Sequence, residues 1–150
     1  MYYYFAPMEG VTGALFRRIH SQYFSGVDKY YMPFLSPVRE RVFSKRDMAE
    51  LTLEANRSPR AVPQLLTCRA EDFLWAADWL ADLGYEEVNL NLGCPSGTVT
   101  AKGKGSGLLR DPEELDRFLE QIFYGARIAV SIKTRVGFQS PEEFQELMVC

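Results

Sequence analysis

The stretch Val88-Asn89-Leu90-Asn91-Leu92-Gly93-Cys94-Pro95 constrains the fold of this chain more than any other. Val88, Leu90 and Leu92 alternate with Asn89, Asn91 and Gly93, so a side-chain period of two puts both amides on one face of a strand. If that strand is central in a sheet, both of its faces are buried, and each amide costs roughly 2–7 kcal/mol unless it is hydrogen-bonded. The pair therefore requires either a polar ligand or a polar network. Gly93 frees the backbone and Pro95 fixes φ, which sets the Cys94 thiol just past the strand end. Parallel α/β folds place their chemistry at that end.

The rest of the chain reads as repeated β/α units. Residues 2–8 predict a short buried strand, closed by the turn residues from Pro7 to Gly10. Thr12 is placed to cap a helix to about Phe24, with Leu15, Phe16, Ile19 and Tyr23 on its apolar face. A second strand is expected from Lys29 to Leu35. The charged stretch with Arg39, Glu40, Arg41, Lys45, Arg46 and Asp47 leads into a helix around residues 45–55, and residues 56–60 read as a loop. Ala61 to Leu66 is the third strand, followed by a helix that turns Phe73, Leu74, Ala77, Leu80 and Ala81 inward and ends at Gly84, a C-cap.

The strand carrying the two asparagines is the fourth. Asp111-Pro112-Glu113-Glu114 is a strong helix start, with a capping side chain, Pro at the first helical position and Glu where a capping box needs it; the helix should end near Gly125. Ile128 to Thr134 is the fifth strand, and Ser140-Pro141-Glu142-Glu143 repeats the start signal. Strands alternating with helices point to a parallel sheet, either doubly wound or part of a (β/α)8 barrel. Such a barrel needs ~250 residues, so 150 residues would supply little more than half of one. The last helix carries Phe144, Leu147 and Met148 with no partner in sight, the pattern expected of a truncated chain.

Composition narrows the function classes. A net charge of −3 argues against a protein that coats nucleic acid with its whole surface, though it leaves room for a local basic patch. Cys68, Cys94 and Cys150 are odd in number and form no CxxC pair, which favours neither a disulfide framework nor a zinc site, and suits a reducing cytoplasm. The N-terminus lacks the pattern of a signal peptide, and no apolar run reaches ~18 residues, so no membrane segment is expected.

The predicted strand ends collect the chemistry. Ala6-Pro7-Met8-Glu9, Pro33-Phe34, Gln64, Asn91 to Cys94 and Lys133 to Arg135 all fall at C-terminal ends. In the fifth strand Val130, Ile132 and Thr134 alternate with Ser131, Lys133 and Arg135, so two cations share a face as the two amides do. A Lys in a buried strand needs an anion or an electron-rich partner. His20, the only histidine, sits in the first helix away from this rim and reads as structural or surface. Cys94 then stands out as the proton donor, because a free thiol with pKa near 8.5 is mostly protonated at neutral pH. The segment Lys102-Gly103-Lys104-Gly105-Ser106-Gly107 matches neither phosphate-loop spacing. It reads as a flexible loop or one that folds over substrate.

Five motifs in order resemble the tRNA-dihydrouridine synthases: Ala6 to Thr12, Val62 to Leu66, Asn89 to Pro95, Lys102 to Leu109, and Ile132 to Gly137. The resemblance implies an α/β fold of the TIM (β/α)8-barrel type, with about the first five strands and four helices present. Residues 1–150 would be the N-terminal part of a flavin-binding barrel, with the remainder of the barrel and a C-terminal helical RNA-binding domain absent from this chain. It implies FMN lined by Ala6, Pro7 and Met8, with Gln64 and Lys133 hydrogen-bonding its ring system. Asn91 and Arg135 would position the uracil or its nucleotide. Cys94 would be the catalytic acid in the reduction of tRNA uridine to 5,6-dihydrouridine, with NADPH as electron donor and no metal. The alternatives are another FMN barrel oxidoreductase acting on a pyrimidine, similar to dihydroorotate or dihydropyrimidine dehydrogenases, and a non-catalytic half-barrel that associates with itself.

Overall fold

A computed structural model of the chain describes residues 1–38, 40–56 and 59–149. Arg39 of the charged stretch, Arg57 and Ser58 of the expected loop, and Cys150 therefore lie outside the described residues. Six short strands are seen among them: β1 (Tyr4–Phe5), β2 (Lys29–Tyr31), β3 (Ala61–Val62), β4 (Gln64–Leu65), β5 (Glu87–Leu92) and β6 (Ala129–Thr134). They form two three-stranded sheets in the orders β1-β2-β3 and β4-β5-β6, and every pairing is parallel. No closed barrel is present among the described residues.

The expected third strand is split at Pro63, which has no N–H to give to a ladder. Its first half pairs with β2 and its second with β5. The run still links the sheets: the Leu35 N–H donates to the Gln64 carbonyl and the Leu66 N–H returns to the Leu35 carbonyl, both at 2.8 Å. All C-terminal strand ends therefore meet at one rim. This is the α/β organisation expected, with six short strands where five longer ones were predicted.

The helical side holds the core. Leu65, Val88, Leu90 and Leu92 turn one face of the sheet onto α4 (Ala70–Asp82) and α6 (Pro112–Gly125), where Phe73, Ala76, Ala77 and Leu80 meet Leu115, Phe118, Leu119 and Ile122. Burying each large side chain here stabilises the fold by roughly 1.5–3 kcal/mol. The α6 start matches its Asp and Pro signals, since the Asp111 side chain accepts from the Glu114 N–H and Pro112 opens the helix, with only this half of the expected capping box formed. Gly84 follows α4 at φ +96°, the left-handed conformation of a C-terminal stop. β5 is buried along its whole length, as a central strand must be.

Several local expectations are corrected. The N-terminal strand is only two residues long, and Tyr2, Tyr3 and Tyr4 are exposed. α1 (Ala14–Tyr23) begins after Gly13 and is not capped by Thr12. The Thr12 hydroxyl instead closes the preceding turn, accepting from the Met8 N–H at 2.8 Å. Glu50 replaces it at the helix start by accepting from the Ala14 N–H. Most of the predicted apolar face of α1 is also turned outward, with Leu15 62%, Ile19 46% and Tyr23 78% exposed, while Phe16 packs half-buried against Phe5. The residue of α1 that is buried is Arg17.

The 45–55 helix appears as α2 (Lys45–Glu50) and α3 (Leu53–Asn56). Residues 102–107, read as a flexible loop or one that folds over substrate, lead from α5 (Gly97–Thr100) into a 3₁₀ turn over Gly105–Arg110, in which Gly105 to Leu109 are buried. The Ser140–Glu143 capping box forms, and opens a 3₁₀ turn that leads into α7 (Phe144–Leu147).

Candidate active site

The two strand asparagines are tied into a polar network with a defined direction. Backbone N–H groups can only donate, and those of Gly93 and Cys94 point at Asn91 Oδ1, at 3.1 and 3.0 Å. That fixes the Asn91 amide, whose Nδ2 donates to Gln64 Oε1 at 2.8 Å. Gln64 Nε2 must then donate, and does so to Asn89 Oδ1 at 2.7 Å; Asn89 Nδ2 donates in turn to Ser131 Oγ at 2.9 Å. Gln64, Asn89 and Ser131 form one rung across β4, β5 and β6, and Asn91 and Lys133 are partners in the next. Gln64 and both asparagines are almost fully buried, so the network offsets the desolvation of three amides. Of the two possibilities the sequence left open, network or ligand, the network is what the structure holds.

This network also builds the turn that presents Cys94. Asn91 Oδ1 satisfies the two N–H groups just past the end of β5, a local Asx-type closure. Cys94 is half-buried and its thiol is free. Its carbonyl accepts from both the N–H and the hydroxyl of Ser106, at 3.0 and 3.1 Å. The segment from α5 through the 3₁₀ turn thus lies across the rim as a strap. Its outer side is fastened by Lys104 Nζ to Ser36 Oγ at 3.3 Å, past β2, and by Cys68 Sγ to the Lys102 carbonyl at 3.4 Å, past β4.

Lys133 lies half-buried on the amide face of β6. Among the described residues its ammonium has no hydrogen bond or ion-pair partner, unlike Lys29 lower on the same side, which pairs with Glu87 at 2.5 Å. The Glu87 hydrogen bond holds the pKa of Lys29 above its ordinary value. Arg135 follows the last residue of β6 and is exposed. It lines an apolar groove of about 540 Å³ with Ile132, Thr134, Leu119 and Phe144, outside the amide network.

Ala6, Pro7 and Met8 follow β1 at the same rim; Ala6 and Met8 are exposed and Pro7 half-buried. The Met8 carbonyl accepts from the N–H groups of Val11 and Thr12, so the turn after β1 is closed on itself. The structure thus brings Gln64, Asn91 and Cys94 together directly and sets Lys133 beside them by register. Ala6 to Met8 share the rim without touching that group.

Other polar groups are structural. His20 is half-buried, shares a hydrogen bond with Tyr30 Oη at 2.8 Å, meets Phe5 edge-to-face and stacks on Phe16 and Phe24, a structural role. Arg17 donates to the Thr12 carbonyl at 2.7 Å and to Asn56 Oδ1 at 2.8 Å, and pairs with Glu50 at 3.3 Å. It thereby steadies the turn after β1 from below. Burial holds the guanidinium pKa below its ordinary value, with Glu50 opposing. Sequence reasoning missed this cluster because its partners come from 33 and 39 residues away. It also missed Ser106, whose only signal was its place between two glycines.

Comparison with known proteins agrees with the geometry. Residues 4–149 match the family model described as "Dihydrouridine synthase (Dus)". A protein of Staphylococcus epidermidis named "Probable tRNA-dihydrouridine synthase" is 31% identical over 154 residues, covering 97% of this chain and 44% of the relative. A Staphylococcus aureus protein of the same name is 30% identical, with the same coverage of each chain. "Probable tRNA-dihydrouridine synthase 1" of Synechocystis is 28% identical, over 91% of this chain and 38% of its own length. The chain spans less than half the length of these curated relatives. With a model match over almost every residue and a parallel α/β framework that gathers Gln64, Asn91, Cys94 and Lys133 at one rim, the chain belongs to the dihydrouridine synthase family.

Proposed function

We propose that this chain carries part of the active site of an enzyme that reduces uridine in tRNA to 5,6-dihydrouridine, with FMN as cofactor and NADPH as electron donor. Family membership and the printed names of the relatives support the reaction class. The observation that carries the site assignment is the rung that pairs Lys133, an ammonium without a partner among the described residues, with Asn91, the amide that holds Cys94. A half-buried cation of this kind selects an anionic or electron-rich ligand.

The residues present fit FMN. Lys133 and the Ser131 hydroxyl, two residues apart on the same face of β6, can both donate, and the rim of a flavin ring offers acceptors. Gln64, fully buried with its amide held by Asn89 and Asn91, would support the ring only through that network, and Ala6, Pro7 and Met8 would line its edge. When bound, FMN supplies the hydride that uridine accepts at C6. The ammonium of Lys133 stabilises negative charge beside it. Asn91 keeps the Cys94 turn in place, and Arg135, exposed just past β6, would meet the nucleotide only by turning away from the apolar groove it lines.

Cys94 gives its thiol proton to C5, which completes saturation of the C5–C6 double bond. The thiolate left behind regains a proton from solvent. The uridine must leave its stack to enter such a pocket. We read the two sheets as successive staves of a (β/α)8 barrel, with β1 and β6 as open edges, each paired on one side only. Those edges would join the remaining staves, or a second copy of the chain. A reducing cytoplasm suits an enzyme that needs its thiol free; no helix among the described residues is long and apolar enough to cross a membrane.

The test is nucleoside chromatography of unmodified tRNA incubated with the full-length protein that contains this chain, FMN and NADPH. Dihydrouridine that appears only with both cofactors supports the proposal. Uridine left intact while the protein holds reduced FMN refutes it.

A further inference from the structure

Cys94 is tied at both of its peptide groups. Its N–H is taken by Asn91 Oδ1 at 3.0 Å, and its carbonyl by the N–H and hydroxyl of Ser106 at 3.0 and 3.1 Å. With Pro95 limiting the next φ, these three bonds leave the Cα–Cβ direction of residue 94 little freedom. Ser106 is fully buried, so water cannot replace its hydroxyl. The approach depends on the preceding residue. Gly105 has φ +57°, and a Cβ there would lie 2.8 Å from the Cys94 oxygen and 3.1 Å from the Cys94 Cβ. Only glycine lets the strap come this close.

We propose that Ser106 is a positioning residue for Cys94, holding the thiol in the one orientation from which it can protonate the uracil. The inference rests on the reading of Cys94 as the acid. A displacement of the acid by about 1 Å can slow its step by about 10². The Ser106 N–H survives substitution, so loss of the hydroxyl alone amounts to about one net hydrogen bond.

The experiment compares wild type, Ser106→Ala and Cys94→Ala. Alkylation of Cys94 by iodoacetamide is followed across pH, and the near-ultraviolet circular dichroism of Trp75 and Trp79, packed on Phe43 away from the strap, reports general loosening. Uridine reduction and flavin reduction by NADPH are measured on the same preparations. Ser106→Ala is expected to raise the Cys94 alkylation rate by about 3- to 10-fold, the equivalent of one net hydrogen bond, with the tryptophan signal unchanged. Uridine reduction should slow about tenfold or more, and flavin reduction should not change.

Unchanged Cys94 alkylation overturns the proposal, and so does a rise accompanied by loss of the tryptophan signal, the mark of general loosening. If alkylation at Cys94 changes selectively while Cys94→Ala still reduces uridine at the wild-type rate, the acid reading fails. The hold of Ser106 on the thiol then stands, and its catalytic purpose does not.

Discussion

Replacing Asn91 by alanine removes one acceptor and one donor at the centre of the amide network. Three groups lose their partner: the Gly93 and Cys94 N–H groups and Gln64 Oε1. Gln64 is fully buried, so its orphaned oxygen costs about 1–3 kcal/mol; Gly93 and Cys94 are half-buried and admit water, so each lost bond costs about 0.5–1.5 kcal/mol. The sum is a destabilisation of about 2–6 kcal/mol.

Asn91→Asp should behave differently. A carboxylate still accepts from both N–H groups, and the network can reverse its donor sense. Gln64 would turn its Nε2 toward position 91, Asn89 would turn its Nδ2 toward Gln64, and the Ser131 hydroxyl would donate to Asn89. Lys133, the rung partner of position 91, supplies the countercharge. The net cost should then stay within about 1–2 kcal/mol. Urea unfolding of the three proteins tests this, with the midpoint shifting and the m-value constant. Equal destabilisation by both substitutions, or less than about 0.5 kcal/mol from Asn91→Ala, would refute the directional network.

Three further outcomes are expected. Glu50→Ala strands the buried Arg17 guanidinium and should destabilise the chain by about 3 kcal/mol in urea unfolding, the low end of the range for a broken buried pair because Glu50 is one-third exposed. Lys133→Met should weaken FMN binding by about 10- to 100-fold in a fluorescence titration, the effect of losing one charge-assisted contact. The Glu143 carboxylate accepts from the Phe138 N–H, which together with the N–H groups of Gln139 and Ser140 lowers its pKa. A depressed carboxylate contributes stability above its unfolded pKa and loses it as pH falls through the folded value. The 138–147 segment should therefore loosen only below about pH 4.3, read as faster amide exchange at Phe138 and Ser140.

The parts of this fold legible in the sequence are those decided locally. β5 announced itself through strict alternation, and α6 through Asp111, Pro112 and Gly125, because period and capping act within a few residues. The rim was legible for the same reason, since strand ends follow from strands. α1 was misread because the rule that apolar residues face inward yields when a cation finds distant partners. Arg17 is buried on Glu50 and Asn56, and Leu15 and Ile19 face outward in consequence. The strap was read as a loop because its glycines signal freedom in sequence but close approach in space, and the contact of Gly105 with Cys94 spans eleven residues. Whether the two asparagines met a ligand or each other depended on Gln64 and Ser131, which only tertiary structure brings into line.

The account turns on Cys94 as the proton donor, and the most direct test is the rate of dihydrouridine formation from unmodified tRNA by wild type and Cys94→Ala, each with its flavin already reduced. The thiol mechanism predicts that the variant keeps wild-type flavin reduction by NADPH and loses about 10²–10⁴ in uridine reduction, the range for a missing general acid. Dihydrouridine formed by Cys94→Ala at the wild-type rate would contradict it.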